Sequence, residues 1–211
     1  MMLLFRRAMV LFIRFLVGAR SDWQGCEPVL RSRIYFANHT SHFDTLAIMA
    51  ALPPRLRGST HPVAALDYWG RSRLHRFIAL DVLHAVLIDR KADKETTDPL
   101  APLAAVLQRG QSLVLFPEGS RTSGEEIAPF KSGLFHLAQR FPQVELIPVH
   151  LDNLARIMPK GSPLIVPITC TARFGAPIVL GPDEAKGEFL ARCRDAVLAL
   201  DLDLAESAAK P

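Results

Sequence analysis

From Arg33 onward, short runs rich in Val, Ile and Leu alternate with stretches whose apolar positions recur at helical spacing. The short runs are bounded by turn residues and read as strands: Arg33–Ala37, Pro62–Ala65, Ala85–Ile88, Ser112–Phe116, Glu145–His150, Ile165–Thr171 and Pro177–Leu180. Between them the spacing predicts helices over Asp44–Leu52, Asp67–Ile78, Asp98–Arg109, Ser132–Arg140 and Asp183–Leu200. The first must stop at Pro53-Pro54, because proline lacks the N–H that the next turn needs. The third carries Asp98 as N-cap, Pro99 in the first turn and Gly110 past its end. Strands alternating with helices predict an α/β fold, a mixed, mostly parallel sheet flanked by helices. The late strands follow one another too closely for helical crossovers, so part of the sheet is expected to be antiparallel.

The chain has 211 residues, enough for one domain with a small extension. Apolar residues make up 49% and charged residues 22%, which excludes a disordered chain. No run approaches the ~18 uncharged apolar residues of a membrane span, which excludes a polytopic membrane protein. The three cysteines, Cys26, Cys170 and Cys193, are odd in number and far apart. That spacing fits a reducing compartment and neither a disulfide framework nor a zinc ribbon.

The net charge of +4 lies wholly in the first twenty residues, which hold Arg6, Arg7, Arg14 and Arg20 and no acid. These arginines are interleaved with Leu3, Leu4, Phe5, Leu11, Phe12, Phe15 and Leu16. A helix of that composition fits an anionic membrane interface better than nucleic acid. A signal peptide is disfavoured by Arg14 inside its apolar region and by the poor cleavage site Ala19-Arg20-Ser21. A core helix docked on the domain is the other reading. Residues 1–20 are therefore assigned to an interfacial helix and residues 21–211 to the main domain. A second basic cluster, Arg55, Arg57, Arg71, Arg73 and Arg76, faces only Asp67 in sequence. The planar fork of arginine suits phosphate binding, or the cluster is a solvated surface.

Two loops at the carboxyl ends of strands carry candidate chemistry, the place where open α/β sheets build sites. The first reads Asn38-His39-Thr40-Ser41-His42-Phe43-Asp44. An Asp that accepts from one imidazole nitrogen fixes the tautomer and leaves the other to take a proton. His39 and Asp44 are five apart, which works only if the chain turns between them. Otherwise Asp44 simply caps the helix and His39 is a loop histidine. The second loop reads Pro117-Glu118-Gly119-Ser120-Arg121-Thr122. Its glycine, hydroxyls and guanidinium make an anion cradle or an ordinary polar turn. Ile88-Asp89-Arg90 ends another strand.

Together these segments resemble the glycerolipid acyltransferases, the lysophosphatidic acid acyltransferase family. Asn38 to Asp44 is similar to that family's N-H-x-x-x-x-D block, and Phe116 to Thr122 to its F-P-E-G-[ST]-R-[ST] block. Val86-Leu87-Ile88-Asp89-Arg90 and Leu146-Ile147-Pro148-Val149 resemble the second and fourth blocks. Phe130-Lys131-Ser132-Gly133 is similar to the F-K-x-G that often follows the third. The blocks come in family order over roughly residues 33 to 150. Ala85 stands where many members have glycine, and Ser120 where threonine is commoner. After Pro159 no motif transfers.

The resemblance implies a glycerol-phosphate acyltransferase-like fold and transfer of an acyl group from a thioester to a hydroxyl of a lysophospholipid, first of all lysophosphatidate. Glycerol-3-phosphate, a lyso-aminolipid or an idle lipid-binding protein are the alternatives. It implies His39 as general base with Asp44 as its partner. It places Glu118, Gly119, Ser120 and Arg121 at the acceptor site, with Arg121 on the phosphate and Arg90 as a second positive charge. The co-substrate is acyl-coenzyme A or acyl carrier protein. No cofactor and no metal is implied. His42 falls at a variable position of the block, and the spacing of His39, His42 and Asp44 matches no metal motif. The expected place of action is the cytoplasmic face of a membrane, without a span.

Overall fold

The computed structural model describes residues 19–41, 43–89, 98–120, 126–152 and 170–201. Among the described residues seven strands form one sheet: β1 (Arg20–Trp23), β2 (Arg33–Ala37), β3 (Thr60–Ala65), β4 (Val86–Ile88), β5 (Ser112–Leu115), β6 (Glu145–Leu151) and β7 (Thr171–Phe174). Their spatial order is β1-β7-β6-β2-β5-β3-β4. Every neighbouring pair is parallel except β6 with β7. The fold is thus the mixed, mostly parallel α/β sheet expected, with its antiparallel step among the late strands.

The central strands explain the layering. Side chains alternate across a strand, so Ile34 and Phe36 of β2 face one way and Tyr35 and Ala37 the other. On the first face they join Leu113, Leu115 and Leu146 beneath three helices: α5 (Ala101–Gln108), α6 (Gly133–Arg140) and α7 (Lys186–Leu198). On the second, Tyr35, Val114, Ile147 and Val149 pack against Ala47, Ile48 and Leu52 of α1 (Asp44–Ala51) and the residue that ends it. β2 is buried at all five positions, so the strand that launches the His39 loop is fixed from both faces.

The charged end of that strand is buried too. Arg33 is only 4% exposed at its side chain and donates through Nε to Glu145 Oε2 at 2.8 Å and through Nη1 to the Glu27 carbonyl at 2.6 Å. Burial would raise the Glu145 carboxyl, but hydrogen bonds from Arg31 and Arg33 outweigh it and hold Glu145 below the usual carboxylate range. A depressed carboxyl contributes stability above its ordinary pKa and loses it as pH falls through the lowered value. Glu145→Gln is therefore expected to lower stability at pH 7 by about 2 kcal/mol. In urea unfolding, the gap to the parent protein should narrow below about pH 4.

Several elements depart from the expected pattern. The helix over Asp67–Ile78 is broken into α3 (Leu66–Trp69) and α4 (Arg73–Phe77), and a π-helical turn continues α4 over Ile78–Val82. Gly70 ends the first piece, and Ser72 restarts the chain by accepting from the His75 N–H at 3.2 Å. A short helix, α2 (Pro54–Arg57), follows the two prolines. The expected strand Pro177–Leu180 reduces to a single bridge between Ile178 and Leu146. β7 lies later than expected, and residues 165–169 of the run Ile165–Thr171 lie outside the described residues. Asp98 accepts from the Leu100 N–H in a turn ahead of α5 and does not cap the helix itself. Gly110 closes α5 with φ +70°, a left-handed conformation that glycine adopts without a Cβ penalty.

The sheet begins at Arg20, and Ala19 is already buried. The interfacial helix expected over residues 1–20 lies, up to residue 18, outside the described residues. No helix among the described residues is long and apolar enough to cross a membrane. Three arginines of the basic cluster hold backbone carbonyls, Arg71 among them through Nε to the Asp67 carbonyl at 2.9 Å. Arg55 donates to the Pro28 carbonyl at 2.6 Å, and Arg57 to the Leu52 carbonyl at 2.8 Å, where α1 ends. Arg71, Arg73 and Arg76 lie exposed around α4.

Candidate active site

β2 and β5 are parallel neighbours, with Phe36 opposite Leu115. The loops that leave their carboxyl ends therefore start side by side. Asn38, 4% exposed, fixes the first loop to the next strand. Its amide accepts from the Leu151 N–H at 2.8 Å and donates to the Leu151 carbonyl at 3.2 Å. This reciprocal pair copies a strand ladder where β2 itself has ended.

The chain then turns tightly around one carboxylate. Asp44 is fully buried, and its Oδ2 accepts from the Thr40 N–H at 2.7 Å, the Ser41 N–H at 2.9 Å and His39 Nδ1 at 2.7 Å. The alternative of Asp44 as a mere helix cap fails, because its side chain bonds backwards into the loop and not to the helix that it starts. A carboxylate can only accept, so Nδ1 carries the proton and Nε2 is the basic nitrogen. The imidazole stacks on Phe116, with ring centroids 4.4 Å apart and planes 21° from parallel. Phe116 follows β5, so each loop contributes to holding the ring.

Glu118 joins the two loops. It is 2% exposed; one oxygen accepts from the His39 N–H at 2.7 Å and the other from the Ala128 N–H at 2.9 Å. The resemblance placed Glu118 among acceptor-binding residues, and here both of its oxygens hold backbone. Gly119 follows with φ +73°. The strain of a side chain there would be compounded by Lys131, whose aliphatic end and ammonium lie where a Cβ would go. Lys131 is tied to the same loop by its N–H, which donates to the Pro117 carbonyl at 2.9 Å.

These groups form the polar end of a groove of about 440 Å³. His39, Gly119, Ser120 and Lys131 line that end, and residues such as Val63, Tyr68, Trp69, Ile88, Leu103 and Phe116 line the rest. The groove thus joins a base and a cation to a long apolar wall. Arg90 and Arg121, with His42, lie outside the described residues. Sequence reasoning quoted Asn38 and Lys131 within blocks and gave neither a role. It missed Phe116 as the platform for His39. A signal for Asn38 and Phe116 was their position directly after a strand, whereas Lys131 stands just ahead of α6.

Cys170 and Cys193 offer no nucleophile here. Burial pushes the Cys170 and Cys193 thiols up to about 12, where almost no thiolate forms near neutral pH.

Comparison with known proteins bears on the family and the fold. The family model described as Acyltransferase matches residues 24–152. The human 1-acyl-sn-glycerol-3-phosphate acyltransferase alpha is 30% identical over 151 residues, covering 70% of this chain and 50% of its own. The 1-acyl-sn-glycerol-3-phosphate acyltransferase of Limnanthes alba is 27% identical over 165 residues, covering 78% of this chain and 56% of its own. The chain thus spans about half the length of the curated relatives it matches. The crystal structure of the 1-acyl-sn-glycerophosphate (LPA) acyltransferase PlsC from Thermotoga maritima aligns with a TM-score of 0.69 at 18% identity. That alignment covers 98% of this chain and 82% of that one, and it bears on the fold alone.

Proposed function

The chain belongs to the acyltransferase family, and from that premise we propose that it moves a fatty acyl group from an acyl thioester to the hydroxyl of lysophosphatidate, giving phosphatidate and free thiol. The observation that carries this reading is the His39–Asp44 pair set at the polar end of an apolar groove. A thioester is already activated, so its displacement needs a base, a place for developing charge and an aligned acceptor.

The acceptor oxygen attacks the thioester carbonyl as His39 Nε2 takes its proton. The C–S bond then breaks, and the imidazolium returns the proton to the departing sulfur. Asp44 holds Nδ1–H throughout and stabilises the positive ring by its negative charge. The acyl chain lies along the apolar wall. The acceptor phosphate lies at the other end, on Ser120, Lys131 and, by family resemblance, Arg121, with Arg90 nearby. Glu118 acts as a brace that sets the distance between base and acceptor loop. Coenzyme A or acyl carrier protein delivers the acyl group. The enzyme works as a monotopic protein on the cytoplasmic face of an anionic membrane, held there by the basic, apolar N-terminus.

Thiol release from a long-chain acyl-coenzyme A, followed with and without lysophosphatidate, tests the reading. Release should depend on the acceptor and saturate with it. Release that is insensitive to any acceptor would make the protein a thioesterase.

Lys131 gives a finer prediction. Among the described residues it has no ion-pair partner, and its ammonium points at the groove over Gly119. Lys131→Gln is expected to raise the KM for lysophosphatidate by about tenfold, the worth of one charge-assisted contact. The KM for the acyl donor should change by less than about twofold. Gly119→Ala, which displaces Lys131, should show the same split. Equal rises for both substrates would remove Lys131 from the phosphate end.

A further inference from the structure

The wall of the groove continues outward into an exposed segment whose chemistry the transfer step does not use. Tyr68 and Trp69 of α3 line the groove. Beyond them, α4 and the π-helical turn run along the surface from Ser72 to Val82. The inner side of this segment is anchored: Ala79 and Val82 are buried, and Trp69 and Ile78 pack against Ala79, Leu83 and Ala85.

The outer side is unlike an ordinary soluble surface. Leu66, Leu74 and Leu80 are 38%, 65% and 39% exposed. Single exposed leucines are unremarkable, but here three fall within one short segment. They alternate with Arg71, Arg73 and Arg76, all exposed. Among the described residues Arg73 and Arg76 have no ion-pair partner, and Arg71 lies over the Tyr68 ring, 5.8 Å from its centroid. Asp67 and Asp81 are the acids of the segment, one toward each end. Apolar side chains flanked by guanidinium groups match a bilayer interface, where the leucines enter the acyl region and the arginines meet lipid phosphates. Trp69 and Tyr68 at the base have the amphipathic rings that favour the same depth.

We propose that the Leu66–Leu80 surface is a second membrane-docking element, which seats the mouth of the groove on an anionic bilayer. It rests on the acyl-transfer reading only for the lipid-borne acceptor that would pass from bilayer to groove. A bilayer is favoured over an acidic carrier protein because Leu74, the most exposed of the three leucines, stands between Arg73 and Arg76. A carrier protein would be met by the arginines alone.

The test uses the full-length protein with Cys26→Ser and Leu74→Cys, labelled at position 74 with an environment-sensitive fluorophore. Cys170 and Cys193 are buried and do not compete for label. On vesicles of phosphatidylcholine with phosphatidylglycerol the emission should shift to the blue. On pure phosphatidylcholine the shift should be smaller, and it should weaken with added salt. This readout needs no turnover, so it stands or falls apart from the acyl-transfer reading. In parallel, Leu66→Glu with Leu74→Glu should raise the apparent KM for vesicle-borne lysophosphatidate about tenfold. Turnover of a short-chain, monomeric acceptor should stay within about twofold, since neither leucine lines the groove. An unshifted fluorophore would overturn the proposal. So would unchanged vesicle kinetics, or equal losses on vesicle and monomeric acceptors. A rise confined to the KM for acyl carrier protein in Arg73→Glu with Arg76→Glu would assign the patch to a protein partner and overturn it too.

Discussion

Replacing His39 with alanine is expected to lower kcat by about a thousandfold or more, the usual contribution of a positioned general base. The fold should survive. The His39 N–H that reaches Glu118 Oε1 is backbone and remains in the variant. Asp44 Oδ2 loses one of its three donors but keeps the Thr40 and Ser41 N–H groups. The stability cost should therefore stay near 1 kcal/mol. The KM values should move little, because the ring contacts the reacting proton and not the body of either substrate. Near-normal kcat in a folded His39→Ala protein would remove the general base proposed here.

The second large effect belongs to Asp44. The three donors that meet Oδ2 fix how an asparagine would sit in Asp44→Asn. Its carbonyl oxygen must face them, since an NH₂ there would oppose three N–H groups. The His39 tautomer is then kept, and what is lost is the negative charge that supports the imidazolium. The amide NH₂ falls in the place of Oδ1, which has no hydrogen-bond partner among the described residues. We expect kcat to fall by about a hundredfold or more, with a stability loss of about 1–3 kcal/mol for the buried, unpaired donor. If Asp44 acts through His39, the double variant should be no slower than His39→Ala alone. Additive losses would mean that Asp44 serves the reaction by another route.

How far the residues alone reach is visible in the same loop. β2 was readable to its ends, because a continuous apolar run lies between Arg33 and the polar Asn38. The five-residue gap between His39 and Asp44 left two outcomes open. The deciding factor was the turn made when the Thr40 and Ser41 N–H groups fold onto Asp44, a local event that spacing does not encode. Glu118 shows the other limit. Its bond to the His39 N–H joins residues 79 positions apart, and only the parallel pairing of β2 with β5 brings them together. β1 was invisible because Arg20-Ser21-Asp22-Trp23 is polar; it is an edge strand held by β7 and partly exposed. The helix over Asp67–Ile78 had the right apolar period, yet Gly70 followed by a serine cap broke it. The residues of the second loop left an anion cradle and an ordinary polar turn both open, and the phosphate roles proposed for Arg90 and Arg121 come from the resemblance.

The central claim is tested most directly by following the product. Purified full-length protein would be given lysophosphatidate and acyl-coenzyme A or acyl carrier protein with a labelled acyl chain, and the lipids separated. The account predicts labelled phosphatidate in amounts equal to the thiol released, with His39→Ala forming about a thousandth as much or less. Label recovered as free fatty acid, or phosphatidate formed equally well by the folded His39→Ala protein, would contradict it.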